Sequence, residues 1–244
     1  MSVSTKAVNG ALVWYENDYT TERWLDALGE DVMKFDLAQP EPLDASAVLL
    51  RLVATEVEAG GANTVISIPE TAGKILSVIT DSNEYDGINV QAKGEAFKLE
   101  TDKPLYFGAK LLISDATESD LLVGMCELKT DLLKTSAAHG ITSTNVEGFF
   151  FYKVDGATAI YAKVYKDGAE VGTKTLTPVM DTSAHVYEFY WDGSMLYAYF
   201  DGEEVARFSP TFPDGDLTPS FNFRAGAAAQ KTIDIYWMRA IECR

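Results

Sequence analysis

The chain has 244 residues, and 47% of them are hydrophobic, which is enough to bury a sizeable core without a disulfide or metal staple. The formal net charge is −17, from 20 Lys and Arg against 37 Asp and Glu. Proteins that follow nucleic-acid phosphates need a basic face, so this charge argues against nucleic acid and anionic membranes as partners.

The sequence lacks the usual signatures of metal, cofactor and membrane binding. Cys126 and Cys243 stand outside any Cys-x-x-Cys cluster, and His139 and His185 are the only histidines. We therefore expect no metal, no cofactor and two free, buried thiols. The first residues carry no signal-peptide pattern, and no run approaches the roughly 18 apolar residues of a membrane span. We expect synthesis in a cytoplasm and no membrane partner.

The first candidate functional segment is aromatic. The stretch "ALVWYENDYTTERW" (11–24) places Trp14, Tyr15, Tyr19 and Trp24 close together in sequence. Aromatic residues are enriched in the cores of protein interfaces. The segment therefore either packs along its own domain or forms a subunit interface.

A helical spacing follows directly. In "TTERWLDALGEDVMKF" (20–35), Trp24, Leu28 and Val32 lie four residues apart. Gly29 would cost about 1 kcal/mol in a helix interior, so the stretch predicts a short helix or a loop. A second helical turn or two is predicted in 129–140.

A brief proline break, "AQPEPLDAS" (38–46), follows the helical candidate. It would separate an N-terminal arm or extension, residues 1–45, from the remainder of the chain. We see no linker, repeat or low-complexity tract elsewhere, so we predict a single domain over 1–244.

The remaining sequence consists mostly of short strand-like runs divided by turn residues. Many short strands at regular spacing are typical of a sandwich or barrel, and we predict an all-β, antiparallel jelly-roll sandwich with few short helices. In the last run, Ile233, Ile235 and Trp237 alternate with Asp234, Tyr236 and Met238, which predicts one deeply buried face. The candidate strands lie at 63–69, 74–80, 87–93, 96–101, 104–114, 120–129, 146–154, 157–165, 169–177, 185–191, 194–200, 203–208, 219–226 and 231–242.

Residues 185–208, "HVYEFYWDGSMLYAYFDGEEVARF", predict a three-stranded meander. Asp192-Gly193 and Asp201-Gly202 divide it, and Asp-Gly favours type I′ turns, which need positive φ at both central positions. Alternation places Tyr197 and Tyr199 on one face of their strand.

The aromatic side chains of this meander are candidates for sugar binding. Tyr187, Trp191, Tyr197 and Tyr199 would form a stacking platform for a glycan on a concave sheet. In the alternative interpretation, one face of the sheet fills the sandwich core and the other face meets a subunit.

The order of the strands resembles the concanavalin A-like lectin/glucanase jelly roll. In that superfamily a late "Y-x-F-x-W" strand meets a turn and then a strand ending "Y-x-D-G-x-x-V", as in residues 186–208 here. The terminal run 231–242 and the early "ENDYTTERW" (16–24) also resemble the superfamily, and the similarity covers about residues 11–244. The resemblance implies the fold and, as one branch, carbohydrate binding.

The glucanase branch of this superfamily needs carboxylates on one strand in an E-x-D-x-E pattern, which alternation places on one side. The nearest runs, Glu84–Asp86 and Glu118–Asp120, lack the third acid and lie at turns, and Glu127 stands alone in its strand. We therefore predict no catalytic residues and a protein that is not an enzyme.

A narrower resemblance covers residues 83–125, which are similar to a group of tailed-bacteriophage structural proteins. Those proteins carry a strand "Y-x-x-V/I-x-x-x-x-E-x-F-K" followed by "x-K-P-L-x-F-x-A-x-L/I-x-x-S-D-A-T-x-x-D" and "V-G". The matching residues are Glu95, Phe97, Lys98, Lys103, Pro104, Leu105, Phe107, Ala109, Ser114, Asp115, Ala116 and Asp120. The resemblance implies a virion protein that is attached to the capsid.

These observations give a leading hypothesis and two alternatives. The first is a capsid decoration protein on the outer head surface of a virion, in contact with the major capsid protein and with copies of itself as a homo-oligomer. The second is a lectin-like virion module that attaches to a host-surface glycan. A glucanase-like enzyme is the third.

Overall fold

In a computed structural model of the protein, residues 2–17, 22–38, 49, 51–57, 64–69, 73–134, 139–141, 146–209 and 211–244 are described. These residues form eighteen strands and no helix. No helix in the described ranges is therefore long and apolar enough to cross a membrane. The strands are β1 (Val3–Val8), β2 (Ala11–Glu16), β3 (Arg23–Leu28), β4 (Val32–Leu37), β5 (Leu52–Val57), β6 (Val65–Ser67), β7 (Leu76–Ile79), β8 (Gly87–Ala92), β9 (Leu105–Ile113), β10 (Ser119–Cys126), β11 (Gly148–Lys153), β12 (Ala159–Lys166), β13 (Ala169–Val179), β14 (His185–Trp191), β15 (Leu196–Phe200), β16 (Glu203–Phe208), β17 (Thr218–Ala225) and β18 (Thr232–Cys243).

Two large antiparallel sheets face each other and enclose the main core. One is seven-stranded, in the order β13-β12-β11-β10-β17-β8-β5. The other is eight-stranded, in the order β16-β15-β14-β9-β18-β7-β6, with β4 also paired to β18. A third sheet, β1-β2-β3, is separate from both. The predicted all-β antiparallel sandwich is confirmed.

Strand alternation explains how the core is filled. On β10 and β11 the alternate residues point inward, and Phe149 and Phe151 are almost completely buried. They meet Phe189 of β14 with ring centroids 5.0 and 4.6 Å apart. Each fully buried aromatic or aliphatic side chain contributes about 1.5–3 kcal/mol through the hydrophobic effect, so these facing rows hold the two sheets together.

The predicted meander is confirmed by the pairing of β14 with β15 and of β15 with β16. Asp201 and Gly202 both have positive φ, 53° and 85°, as a type I′ turn requires. At Asp192-Gly193 only the glycine has positive φ. There the Asp192 carboxylate accepts hydrogen bonds from the backbone N–H groups of Ser194 and Met195, at 2.8 and 2.7 Å, and holds a wider loop.

The helix or loop predicted for 20–35 is wrong over the described residues, because Arg23–Leu28 and Val32–Leu37 are strands. The strand β3 pairs with β2, and β4 pairs with β18. These long-range pairings outweigh the four-residue spacing of the apolar side chains. Of the second helical candidate, 129–134 and 139–140 are described and contain no helix.

The described residues between β10 and β11 pack on the outer face of the seven-stranded sheet. Leu132, Leu133 and Ile141 pack on Leu122 and Phe150. Polar side chains from the strands also bind the backbone of this segment. The Gln91 amide donates to the Glu127 carbonyl at 2.9 Å, and its oxygen accepts from the Lys129 N–H at 2.8 Å. We call residues 127–134 and 139–141 the covering segment.

Both cysteines are free and buried, as predicted. Cys126 belongs to the cluster under the covering segment, whereas Cys243 lies beneath the three-stranded sheet. Burial raises the pKa of the Cys243 thiol to about 11 and that of Cys126 well above its usual range. Both thiols are therefore protonated at neutral pH and act as packing groups.

Candidate functional site

The outer face of the eight-stranded sheet carries three parallel rows of side chains across β14, β9 and β18. Residues paired across antiparallel strands share a face, so each row can be read from the strand register. The rows are Tyr190, Tyr106 and Ile241; Glu188, Gly108 and Arg239; and Val186, Lys110 and Trp237. The sheet β1-β2-β3, which we call the N-terminal sheet, lies over this face.

The first row is apolar and largely aromatic, and Trp24 of the N-terminal sheet packs on it. The indole of Trp24 is completely buried, and its centroid lies 6.2 Å from the Tyr106 ring and 5.6 Å from the Tyr190 ring. Val13 and Ala27 of the N-terminal sheet are also buried in this cluster. The N-terminal sheet is therefore anchored by an apolar core of its own.

The four aromatic residues predicted as an interface differ in how far they are buried. Trp24 is buried within its own chain, so this residue follows the first alternative, packing along its own domain, and is not available to a partner subunit. Trp14 and Tyr15 are half-buried. Tyr19 lies outside the described residues.

The second row carries a buried ion pair. Arg23 of β3 donates through Nε and Nη2 to both carboxylate oxygens of Glu188, at 2.7 and 3.0 Å. Its Nη1 reaches Glu16 at 3.2 Å, and the Tyr106 hydroxyl donates to Glu188 at 2.8 Å. Burial, reinforced by the Glu188 charge, raises the pKa of Tyr106 well above its usual range. A bidentate geometry of this kind fixes orientation, and here it fixes the N-terminal sheet on the sandwich.

Gly108, between Glu188 and Arg239 in the second row, is required by two neighbouring aromatic residues. A Cβ at this position would lie 2.4 Å from the Tyr106 hydroxyl and 2.9 Å from Cζ3 of Trp237. The missing side chain lets both rings lie close to the sheet.

The third row forms the floor of a pocket of about 380 Å³. Glu16, Arg23 and Leu25 of the N-terminal sheet contribute to its lining. The complete lining consists of Glu16, Arg23, Leu25, Ala38, Lys110, Val186, Tyr236, Trp237 and Arg239. We call it the outer-face pocket. Its volume falls in the range of about 300–1,000 Å³ that is typical of small-molecule sites.

A β-bulge places two aromatic residues in this pocket. The pairing of β18 with β9 shifts by one residue between Ile235 and Trp237, so Tyr236 is the extra residue. Met238 and Ala240 continue the buried face after the bulge. The sequence predicted Trp237 on the same buried face as Ile235. The bulge shifts the alternation of inward and outward side chains by one residue, so Trp237 points outward. Bulges are common beside functional sites because they re-aim side chains.

Three cations adjoin the aromatic residues of the pocket. The Lys110 ammonium lies 5.3 Å from the Tyr236 ring centroid, and the guanidinium groups of Arg23 and Arg239 lie 5.9 and 5.8 Å from that of Trp237. Arg239 approaches the exposed Asp36 carboxylate at 3.3–3.4 Å. Among the described residues, Lys110 has no carboxylate within ion-pair distance.

The predicted glycan platform is not assembled on one surface. Tyr187 is fully buried in the main core, and Trp191, also buried, donates its indole N–H to the Glu100 carbonyl at 2.7 Å. Tyr199 is 7% exposed, and only Tyr197 is half-buried. The register explains this correction, because Tyr187 and Trp191 point into the core whereas Tyr197 and Tyr199 point away from it.

None of the described strands carries two carboxylates two residues apart, so the glucanase pattern is not met in this part of the chain. Five acidic residues line a polar pocket of about 410 Å³ formed by Glu95, Glu127, Glu147, Asp167, Gly215 and Asp216. Three of these carboxylates accept hydrogen bonds from backbone N–H groups: Glu95 from Leu128, Glu127 from Glu147 at 3.0 Å, and Glu147 from Gly215 at 2.8 Å. No group of potential metal ligands is found among the described residues.

The two histidines each lie between carboxylates. His139 of the covering segment is 3.1 Å from Asp120 and 3.7 Å from Asp155. His185 is buried and is 2.7 Å from Asp201 and 3.0 Å from Asp181. The hydrogen bond with Asp201 raises the pKa of His185. The predicted strand 185–191 begins at His185, as β14 does, but nothing in the sequence indicated that the His185 side chain is buried.

Sequence reasoning did not select Arg23, Glu188, Lys110 or Trp237 as a group. One local signal was present, since Glu188 interrupts the aromatic run "YEFYW" and a charge at such a position needs a buried partner. Nothing local identifies Arg23 as that partner, because the two residues are 165 positions apart.

No protein-family model and no curated protein matches the sequence. Among solved structures, the Emp47p carbohydrate recognition domain matches with a TM-score of 0.55 and 13% identity, over 83% of this chain and 93% of that chain. The Bacillus licheniformis β-glucanase matches with a TM-score of 0.55 and 13% identity, over 85% and 97%. A prokaryotic β-1,3-1,4-glucanase (lichenase) derived from a mouse hindgut metagenome matches with a TM-score of 0.56 and 14% identity, over 85% and 98%.

These similarities establish the fold alone, because the identities are too low to carry an activity from one protein to another. The neighbours include both a carbohydrate recognition domain and glucanases. The chain thus has the antiparallel jelly-roll fold of the concanavalin A-like lectins and glucanases.

Proposed function

We propose that the protein is a non-catalytic virion component of a tailed bacteriophage that binds the outer surface of the head as a capsid decoration protein. The sequence resemblance over residues 83–125 supports the virion assignment. The absence of paired carboxylates on the described strands supports a non-catalytic role.

The observation that carries the docking role is an apolar row on the outer side of the N-terminal sheet. Ala7, Leu12 and Leu28 are paired across β1, β2 and β3, and all three are exposed. Leu12 and Leu28 are 43% and 58% exposed, although large apolar side chains are usually buried. Trp14 lies one step along the same face of β2. We infer that this row contacts the major capsid protein or a neighbouring copy.

Such docking would stabilise the head by mass action. A protein that binds the assembled shell but not the free subunits favours the shell by its binding free energy. Symmetric repetition on the lattice adds avidity when neighbouring copies also touch.

Binding of the purified protein to heads that lack it tests this proposal. Each leucine buried on docking contributes about 1.5–3 kcal/mol, so Leu12→Lys or Leu28→Lys should weaken co-sedimentation by roughly 10- to 100-fold. The matched control is Leu128→Lys, because Leu128 is 45% exposed and lies beyond the end of β10. Binding that is unchanged in Leu12→Lys and Leu28→Lys would refute the docking face, and failure of the unmodified protein to bind would refute the decoration role.

A second candidate function is carbohydrate binding for attachment to a host surface. The outer-face pocket favours it, because aromatic residues and cations line a volume suited to a small ligand. Docking through the N-terminal sheet and binding at this pocket use different surfaces, so the two functions are compatible.

A further inference from the structure

We propose that the outer-face pocket binds a sugar residue that carries a carboxylate, such as a uronic acid unit of a polysaccharide. The proposal does not depend on the virion role. It rests on the three elements that meet in the pocket: a Trp–Tyr pair exposed by a β-bulge, a lysine without a carboxylate partner among the described residues, and a rigid wall fixed by a buried ion pair.

The aromatic part of the pocket suits the apolar face of a sugar ring. Trp237 and Tyr236 are both half-buried, and both line the pocket. Gly108 allows the Trp237 ring to lie close against the sheet, which supports one side of the ring before a ligand arrives. Preorganised aromatic rings lose little conformational entropy when a ligand binds.

The charged part of the pocket suits a carboxylate. The pocket lining includes the cations Arg23, Lys110 and Arg239. Two of them already have carboxylate partners, since Arg23 binds Glu188 and Glu16 and Arg239 approaches Asp36. Lys110 therefore supplies the cation that is least compensated by neighbouring charge, and it stands in the same row as Trp237.

The wall of the pocket is rigid because Arg23 is held by Glu188 and Glu16. A neutral sugar would use the rings but would leave Lys110 without an anionic partner. A simple carboxylate such as acetate would meet the lysine but would gain nothing from the rings. The combination selects a ligand with both features.

The test is a titration of the full chain with galacturonate and glucuronate oligomers, the corresponding neutral oligomers and acetate. Tryptophan fluorescence and calorimetry measure the binding. We expect saturable binding of the uronate oligomers that weakens with added salt, and much weaker binding of neutral oligomers and acetate. Loss of a charge-assisted hydrogen bond predicts about a tenfold or greater loss of affinity in Lys110→Met.

Matched variants make the result specific. Lys174→Met is the control, because Lys174 is exposed on β13 of the other sheet. Trp237→Phe tests the ring contribution with a smaller aromatic side chain, and thermal unfolding of each variant verifies that it is folded. Absence of uronate binding at millimolar ligand, equal binding of neutral oligomers, or unchanged affinity in a folded Lys110→Met variant would each overturn the proposal.

Discussion

The two sheets of the sandwich are covered on their outer faces in different ways. On the eight-stranded sheet, a regular three-stranded sheet is held by Trp24 and by the Arg23–Glu188 ion pair. On the seven-stranded sheet, the covering segment is held by Leu132 and Leu133 and by strand side chains such as Gln91 that bind its backbone. The N-terminal sheet buries aromatic side chains and the Glu188 carboxylate, whereas the covering segment buries apolar side chains and the Gln91 amide.

This difference has a consequence for function. The covering segment uses backbone groups to satisfy buried polar side chains, as burial requires. The N-terminal sheet pairs its own strands and contributes mainly side chains, and the Trp24 carbonyl also accepts a hydrogen bond from Arg239 at 3.4 Å. The third row of the sheet beneath it, with Lys110 and Trp237, lines a pocket. The N-terminal sheet and the third row beneath it thus form the outer-face pocket together.

The largest expected effect comes from breaking the ion pair under the N-terminal sheet. Arg23→Met leaves Glu188 buried without its cation, and the loss of one partner of such a pair costs about 3–5 kcal/mol in the free energy of unfolding. Urea unfolding monitored by circular dichroism measures this loss. The double variant Arg23→Met/Glu188→Met should recover part of it, and a double variant as unstable as the sum of the single variants would contradict a coupled pair.

A smaller effect is expected from truncating the apolar anchor of the covering segment. Leu133 is 1% exposed, so Leu133→Ala should lower the free energy of unfolding by about 2–3 kcal/mol, toward the low end for buried leucines because an irregular segment can partly close the cavity. Leu128→Ala is the matched control and should change stability by less than about 0.5 kcal/mol. Equal effects at the two positions would show that the segment is not anchored by Leu133.

The polar anchoring of the covering segment predicts a local effect. Gln91→Leu retains volume but leaves the Glu127 carbonyl and the Lys129 N–H without their partner, at a cost of about 1–2 kcal/mol. Hydrogen exchange should accelerate in residues 127–134 and remain unchanged in β2 and β3. Faster exchange in the N-terminal sheet would contradict independent anchoring of the two covers.

The smallest expected effect is a pH dependence of stability. It arises at His185 of β14, outside the N-terminal sheet and the covering segment. The pKa of His185 is raised from its ordinary value of 6.5, first by its hydrogen bond with Asp201. The resulting stabilisation is complete below that ordinary value and is lost as the pH rises through the folded pKa. The melting temperature should therefore fall slightly between pH 6 and pH 8, and His185→Gln should remove this part of the slope. An identical slope in the variant would refute the assignment.

Local sequence patterns were sufficient to predict the sandwich and its meander. Alternating aromatic and β-branched residues define strands, and Asp201-Gly202 adopts the turn predicted for it. The same local patterns gave the wrong structure for 22–35, because strand pairing with distant partners decides the conformation there.

The candidate site could not be predicted in the same way. Its residues come from β2, β3, β9, β14 and β18 and from Ala38 after β4, and only the sheet register brings Lys110 beside Trp237. The bulge at Tyr236 decides that Trp237 faces outward, and nothing in "TIDIYWMRA" identifies which residue is the extra one. The aromatic residues that were predicted as a platform belong to a strand pattern whose inner face is the core.

The most direct test of the proposed role is the copy number of the protein in purified phage particles, measured by quantitative mass spectrometry against the major capsid protein. Capsid decoration predicts a constant ratio that is set by the symmetry of the head, with hundreds of copies retained on heads separated from tails. Absence from the particles, or a few copies that separate with the tails, would contradict the decoration role.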